Sequence, residues 1–213
     1  MAICPSQFLF YYIANSNRQP SVMDFIAIQY FKSAFGELII GSYDNKLCLC
    51  DWRYRKMRTN IDKRIQKALN ADYKEAATPI IEATIAQLKA YTTGELDKFT
   101  LPLLLVGTDF QKSVWQALLE IPYGETRSYL ELSIQLGDKN AIRAVASANG
   151  ANAISIIVPC HRIIGKNGKL IGYAGGLMAK KRLLELESPQ KCTPQLKLFE
   201  KEYFAVVTPK YLQ

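Results

Sequence analysis

The sequence predicts an α/β part followed by a mainly helical part, and three observations carry that prediction. A length of 213 residues allows one large domain or two small ones, at about 150 residues per domain. Three strand-like runs open the chain, and two segments of helical spacing follow them. After Gly107 the pattern changes to short helices separated by glycine-containing turns. With 49% apolar and 22% charged residues, the composition excludes long disorder, collagen and a coiled-coil rod.

These changes of pattern divide the chain into four segments. We expect an irregular lead-in over 1–21, an α/β domain over 22–106, a mainly helical domain over 107–189, and an unassigned tail over 190–213.

The α/β part is predicted to combine a hairpin-linked sheet with two helices. In order, its elements are strands at 25–30, 37–42 and 46–50, helices at 61–69 and 79–91, and an apolar connector at 100–106. Asp44-Asn45 is typical of a hairpin turn. Pro79 suits the first turn of a helix because it has no N–H to satisfy there.

The second part is predicted to be built from short helices around one strand. Its elements are helices at 109–119, 129–136, 139–148 and 177–187, and a buried β-branched strand at 154–158. Thr108 or Asp109 can cap the first of these helices. Gly137-Asp138 joins two short helices, which suggests a helix-turn-helix. The strand is expected to deliver Cys160 at its end.

The charge of the chain favours a polyanionic partner. Lys and Arg total 27 against 19 Asp and Glu, which gives +8. Net charge informs association rather than fold. The densest basic stretch is 53–67, where Asp62 is the single acidic residue. We interpret this stretch as a solvated face, with a peripheral contact to phosphate as the alternative.

Cysteine usage and hydropathy favour an intracellular protein. Five cysteines are an odd number, which argues against a disulfide scaffold and for free thiols in a reducing compartment. The apolar run at 8–14 is short and follows no Lys or Arg, unlike a signal peptide. No stretch approaches the roughly 20 apolar residues of a membrane span. We expect a cytoplasmic monomer, nuclear if the source is eukaryotic, with no membrane partner.

Cys160 stands directly before His161, the only histidine of the chain. A thiolate is a strong nucleophile, and a nearby histidine can activate it. A zinc site is disfavoured because the cysteines and this histidine lack zinc spacing. A cysteine protease would require a histidine far from Cys160 along the chain. A transferase that alkylates its own thiol requires only the activated cysteine and a pocket for the electrophile. A structural cysteine beside a buried histidine remains the alternative.

A longer set of motifs surrounds Cys160. They are GTDFQKSVWQAL at 107–118, IPYGETRSY at 121–129, RAVA at 143–146, Asn152, VPCHRII at 158–164, GYAGGL at 172–177 and Lys180. In residue types and spacing this set resembles the O6-alkylguanine-DNA alkyltransferases. The resemblance extends from 107 to 187, whereas the first 106 residues match only in layout. It implies a ribonuclease-H-like first domain, and a second domain that binds DNA through a helix-turn-helix and includes a short sheet element.

The resemblance implies a chemical role for several side chains. Cys160 would accept the alkyl group irreversibly, in a single turnover. His161 would act through a water as general base, and Glu187 would orient it. Tyr129 would help to rotate the nucleotide and would donate to N3 of the guanine.

The resemblance also implies a DNA surface and a base pocket. Because the damaged base lies inside a duplex, it must be flipped out. Double-stranded DNA containing O6-alkylguanine would be bound through the minor groove, with Arg143 filling the gap. The DNA-contacting residues would be Tyr129, Arg143, Ala144, Asn149 and Gly150. The pocket would be formed by Asn152, Val158, Pro159, Ile163, Tyr173 and Ala174.

No cofactor or metal is implied. Relatives that carry zinc in the first domain use histidine ligands, and the single histidine here belongs to the Cys160 motif. Two other functions are the alternatives: a non-catalytic protein that binds alkylated DNA, and a helix-turn-helix regulator. Retention of Cys160 speaks against the first, and the second would require a dimerisation element.

Overall fold

The computed structural model describes residues 24–188, so the lead-in over 1–21, the whole of the 190–213 tail, Cys4 and Cys192 lie outside it. The chain forms a mixed sheet and a set of helices, as predicted. Within the described residues, no helix is long and apolar enough to cross a membrane.

The first part is a four-stranded sheet between two helices. Its elements are β1 (Ile26–Ser33), β2 (Gly36–Tyr43), β3 (Lys46–Trp52), α1 (Arg58–Leu69), β4 (Tyr73–Glu75) and α2 (Pro79–Thr92). The strand order is β3-β2-β1-β4, and only the β1–β4 pair is parallel. The short β4 was missed because three residues carry no alternation. The ribonuclease-H-like assignment stays a prediction.

Alternation along the strands places the two helices on opposite faces of the sheet. Ile26 and Ile28 pack with Ile61 and Ile65 of α1, whereas Ala27 lies in the cluster that contains α2. Asp44 and Asn45 both have positive φ, 48° and 54°, as a tight hairpin requires.

The second part contains four helices and a small sheet. Its elements are α3 (Asp109–Leu119), β5 (Arg127–Ser128), α4 (Tyr129–Gln135), α5 (Ile142–Gly150), a 3-10 turn (Cys160–Arg162), β6 (Ile163–Ile164), a second 3-10 turn (Lys166–Gly168) and α6 (Gly176–Glu187). β5 and β6 pair in parallel. α5 begins three residues later than predicted because Asp138 Oδ1 accepts the Asn140 N–H at 2.8 Å and forms a turn there.

The strand predicted over 154–158 is wrong. Ile154 makes one bridge to Cys50 on the edge of β3, and the chain then turns at Ile156, whose φ is 73°. The backbone groups of this segment are satisfied by local contacts: Asn152 Oδ1 accepts from Ile154 N at 2.9 Å, and Val158 N donates to Ile154 O at 2.9 Å. The β-branched residues at 154–158 therefore reflect the burial of this segment, and not strand pairing.

The edge of β3 joins the two parts. In the connector, Pro102 O accepts from Leu47 N and Leu104 N donates to Leu47 O, both at 2.8 Å. Cys50 N donates to Ala153 O at 2.9 Å. One cluster of buried side chains includes Leu38 of β2 and Trp115 of α3. The core therefore continues across the boundary predicted at Gly107, and the division into domains stays a prediction.

Gly107→Ala is expected to lower the free energy of unfolding by about 1–3 kcal/mol, because an added Cβ would overpack the contact between Gly107 and helix α3. That Cβ would lie 2.5 Å from the Trp115 ring and 2.6 Å from Oε1 of Gln111, which completes the Thr108 capping box. Chemical denaturation measures the change.

Gly150→Ala is the matched control for Gly107→Ala. A Cβ on Gly150 meets nothing within 4 Å, and the residue is helical. Its substitution should leave stability unchanged or raise it slightly. Equal effects of the two substitutions would contradict the packing argument.

Candidate active site

Cys160 opens the 3-10 turn that follows the buried segment 154–158, and it is 3% exposed. Pro159 precedes it with φ of −81°. Burial raises the pKa of the Cys160 thiol, and the hydrogen bond from Asn152 only partly opposes this. The thiol therefore rests in its protonated form and needs a base before it can act as a nucleophile.

Asn152 braces the turn from inside. Its Nδ2 lies 3.2 Å from Cys160 Sγ and donates to Val158 O at 3.0 Å. Its Oδ1 accepts from Ile154 N, so one buried amide holds both ends of the turn. The sulfur consequently has a fixed position relative to the cleft.

Glu187 lies behind the cysteine turn and is surrounded by hydrogen-bond donors. Its Oε1 accepts from Tyr91 Oη at 2.7 Å, from His161 Nε2 at 2.9 Å and from Arg162 at 2.9 Å. Its Oε2 accepts from Arg162 Nε at 2.9 Å and from Gly124 N at 3.3 Å. The side chains of His161 and Glu187 are fully buried. The structure thus brings together the two residues that the resemblance pairs, and their catalytic roles stay a prediction.

Hydrogen-bond donors keep Glu187 ionised, and burial keeps His161 neutral. Burial tends to raise the pKa of Glu187, but hydrogen bonds from His161 and Arg162 outweigh it and hold the pKa at about 2. Burial lowers the pKa of His161 despite the adjacent carboxylate. Since a carboxylate only accepts, Nε2 of the neutral ring carries the proton. Nδ1 is buried with no partner among the described residues, and its lone pair is available to accept a proton.

A cleft of about 670 Å³ opens over Cys160. The predicted residues that line it are Tyr129, Asn149, Gly150, Asn152, Cys160, Tyr173 and Ala174. The pKa of Tyr129 is raised mainly by burial and to a smaller extent by the nearby Cys160, so its phenol keeps its proton. Asn149 Nδ2 lies 3.5 Å from the Tyr129 hydroxyl.

The remaining predicted residues do not line the cleft. Val158, Pro159 and Ile163 belong to the buried turn beneath it, where they shape the backbone around Cys160. Arg143 and Ala144 are exposed on the outer face of α5. The side chains of the α4–α5 pair thus divide between the cleft and an outer surface.

Sequence reasoning missed the residues that the first part of the chain contributes. Trp52 lines the cleft and packs against Tyr173 with ring centroids 5.7 Å apart. A Cβ on Gly175 would overlap the Trp52 ring, which explains a glycine at that position. Tyr91 on Glu187 was also missed. No local pattern signals either contact, because both partners are distant along the chain.

Lys180 is a buried cation near the cysteine turn. It is 0% exposed, and its Nζ donates to Ile163 O at 2.5 Å and to Ile171 O at 2.8 Å. Burial lowers its pKa to about 8. Lys180 therefore ties the glycine-containing loop to the strand that follows the cysteine turn.

Comparisons with known proteins agree on one family. Residues 109–189 match the family model described as 6-O-methylguanine DNA methyltransferase, DNA binding domain. The chain is 59% identical over 116 residues to the methylated-DNA–protein-cysteine methyltransferase of Mycobacterium leprae, covering 54% of this chain and 70% of that protein. It is 46% identical over 156 residues to the protein of that name from Methanosarcina barkeri, covering 73% and 93%.

A solved structure agrees with the sequence relatives. Mycobacterium tuberculosis OGT in complex with DNA is 42% identical and superposes with a TM-score of 0.66, covering 81% of this chain and 99% of that one. Its likeness extends over both parts of the fold.

Glu187→Gln is expected to lower the free energy of unfolding at pH 7 by about 3–5 kcal/mol, because it leaves Arg162 buried without a counter-ion. The pKa of Glu187 falls from 4.5 to about 2 on folding. Its stabilisation is therefore present above about pH 5 and is lost as the pH falls through the native pKa. Urea denaturation between about pH 7 and pH 3 should show the gap between wild type and variant narrowing with acid.

Glu125→Gln in the turn after α3 is the control. Glu125 forms an ion pair with Arg127 at 3.6 Å in which both side chains are nearly half exposed, so its replacement should cost less than about 1 kcal/mol. A wild-type to Glu187→Gln gap that stays constant down to pH 3 would refute the role of the carboxylate charge.

Proposed function

Since this chain belongs to the methylated-DNA–protein-cysteine methyltransferase family, we propose that it repairs DNA by moving the alkyl group of O6-alkylguanine onto Cys160. The observation that carries this assignment is the thiol at the floor of the cleft, backed by the buried His161–Glu187 pair. The product is a thioether, which thiol exchange does not reverse, so each molecule reacts once.

The transfer is a displacement at the alkyl carbon. Sγ of Cys160 attacks that carbon, an S–C bond forms, and the C–O6 bond of the guanine breaks. The thiol proton passes through a water to Nδ1 of His161, and the Glu187 carboxylate stabilises the imidazolium that results. This order of events is supported by the neutral resting state of both the thiol and the imidazole.

Tyr129 is proposed to act on the leaving group. The departing guanine develops negative charge, which a hydrogen bond from the Tyr129 hydroxyl to its ring stabilises. The ring takes up one proton through Tyr129, and the imidazolium of His161 releases the proton that it took from the thiol, so both groups return to their resting forms. The phenol of Tyr129 lines the same cleft as Cys160 and keeps its proton at neutral pH. The base would be seated between Tyr129 and the cysteine turn.

The backbone of the turn is proposed to read the guanine edge. Cys160 O accepts from Ile163 N, and Ile163 O accepts from Lys180 Nζ. A carbonyl oxygen has two lone pairs, so each of these oxygens can accept a second hydrogen bond from the guanine amino group. Val158 and Pro159 hold the turn, while Tyr173 and Ala174 line the space for the alkyl group.

Helix α5 is proposed to enter the minor groove as the second helix of a helix-turn-helix. Arg143 and Ala144 lie on its exposed face, and Asn149 and Gly150 lie at its end beside the cleft. Arg143 would fill the space that the flipped nucleotide leaves. A protein that only binds damage, or a regulator, is not favoured, because neither would require a cysteine in the lining of the cleft.

Incubation with a duplex that carries O6-methylguanine should add one methyl group per chain. Intact-mass measurement counts the addition, and peptide mapping locates it at Cys160. Cys160→Ala should bind the duplex and remain unmodified. No mass change with excess substrate would reject the transferase and favour the binding function.

Arg143→Ala should slow transfer from duplex DNA by at least about tenfold, because extrusion of the base loses its wedge at a cost of a few kcal/mol. Transfer from free O6-benzylguanine should be unchanged, since that base needs no flipping. Single-turnover rates with the two substrates provide the measurement.

Lys89→Ala removes an equal charge from an exposed position on α2 and is the matched control. It should leave both rates within about twofold of wild type, because a distant exposed charge contributes only weak attraction. Equal losses in the Arg143 and Lys89 variants would reduce Arg143 to a surface charge.

A further inference from the structure

Two arginines of the basic stretch at 53–67 contact the end of helix α5. Arg55 donates to Gly150 O at 2.5 Å and to Asn152 O at 2.9 Å. Arg64 donates to Ala151 O at 2.8 Å. Three successive main-chain carbonyls therefore receive guanidinium N–H groups from the first part of the chain. For Arg55 this replaces both sequence interpretations, the solvated face and the phosphate contact.

Asp51 fixes the direction of Arg55. Its carboxylate is 0% exposed, and Oδ2 accepts from Arg55 at 2.7 Å and from Arg58 at 2.8 Å. Its Oδ1 accepts from Ser155 Oγ at 3.0 Å, within the turn that precedes Cys160. A planar guanidinium held by a buried carboxylate has little freedom, so it presents its remaining N–H groups at fixed positions.

Helix α5 ends where these arginines bind. The last carbonyls of a helix lack intrahelical partners and carry partial negative charge, which cations stabilise. Two residues before the end of the helix, Ala148 O accepts from Trp115 Nε1 at 2.9 Å. Two residues after the helix, Asn152 donates to Cys160 Sγ. The clamped carbonyls thus lie between the helix that carries Arg143 and the amide that positions the thiol.

We propose that Arg55 and Arg64 are positioning residues for transfer from duplex DNA, holding the end of helix α5 at a set distance from Cys160. This inference rests on the function proposed above. The first part of the chain then contributes to repair without touching the DNA at these residues. Contacts made by α5 on the duplex place the flipped base over the sulfur only while the clamp is intact.

Two variants test the clamp without removing the partner of the buried Asp51. Arg55→Lys keeps the charge beside Asp51. A single ammonium nitrogen cannot reproduce the planar fork in which Nη1 donates to Asp51 and Asn152 O while Nη2 donates to Gly150 O. Arg64→Met keeps much of the packing over Trp115, whose ring lies 5.3 Å from the guanidinium, and deletes the hydrogen bond to Ala151. Circular dichroism sets a temperature at which every variant is folded.

The readout is the ratio of two single-turnover rate constants, for an O6-methylguanine duplex and for free O6-benzylguanine. The free base needs no extrusion from a duplex, so its reaction does not depend on contacts between α5 and DNA. We expect the duplex-to-base ratio to fall about tenfold in each variant, because small misplacements of bound groups are costly in rate. A ratio equal to wild type, including parallel losses in both rates, would overturn the proposal and leave a purely structural clamp.

Arg53→Met is the matched control, from the same stretch. Arg53 pairs with Glu37 at 2.7 Å and stacks on Tyr30, away from α5. The duplex-to-base ratio of the Arg53→Met variant should stay within twofold of the wild-type ratio. If Arg64 instead contacted phosphate, Arg64→Met would lower the salt dependence of the duplex rate by about one unit of slope relative to Arg53→Met. That result would also overturn the positioning role.

The wild-type protein separates the two levels of inference. If it fails to take a methyl group from the duplex, the proposed function is at fault. If it reacts and the clamp variants keep the wild-type ratio, only the clamp is at fault.

Discussion

The buried carboxylate of Glu187 accepts hydrogen bonds from helix α2, from the turn after α3 and from the cysteine turn. A charge at this depth is tolerable only because Arg162 and the neutral donors compensate for the lost water. The donors come from three different stretches of chain, so the carboxylate fixes the position of α6 against all three. The orientation of His161, and with it the available Nδ1 lone pair, follows from this single group.

The thiol of Cys160 is held by Asn152, which does not belong to the Glu187 network. Asn152 spans the turn and contacts the sulfur, and Arg55 holds the main chain of Asn152. The two buried carboxylates, Asp51 and Glu187, therefore define the cysteine turn from opposite directions. Because neither Cys160 nor His161 is charged at rest, the site stores no unpaired charge beside its reactive atom. Charge is generated only when substrate is present and a proton can move.

Much of the fold was readable from local pattern. Alternation predicted the three long strands, and spacing predicted most helices to within a few residues. Capping residues such as Thr108 and Ser128 mark helix starts, and both capping boxes form. The error at 154–158 has a physical origin, since β-branched residues suit any tightly buried backbone and alternation is absent there. Arg55 shows the complementary failure, because a charge-rich stretch looks solvated unless its buried acceptors are known.

The sequence by itself determined the chemistry: a cysteine next to the only histidine, inside motifs that span the second part of the chain. It also determined the local elements, because caps, turns and periodicity act over a few residues. Only the tertiary structure decided which groups complete the site. Tyr91 lies 96 residues from Glu187, and Arg55 lies 97 residues from Asn152. Such pairs form because folding buries their polar groups together, and an unpaired buried charge or carbonyl would cost more than the order it requires.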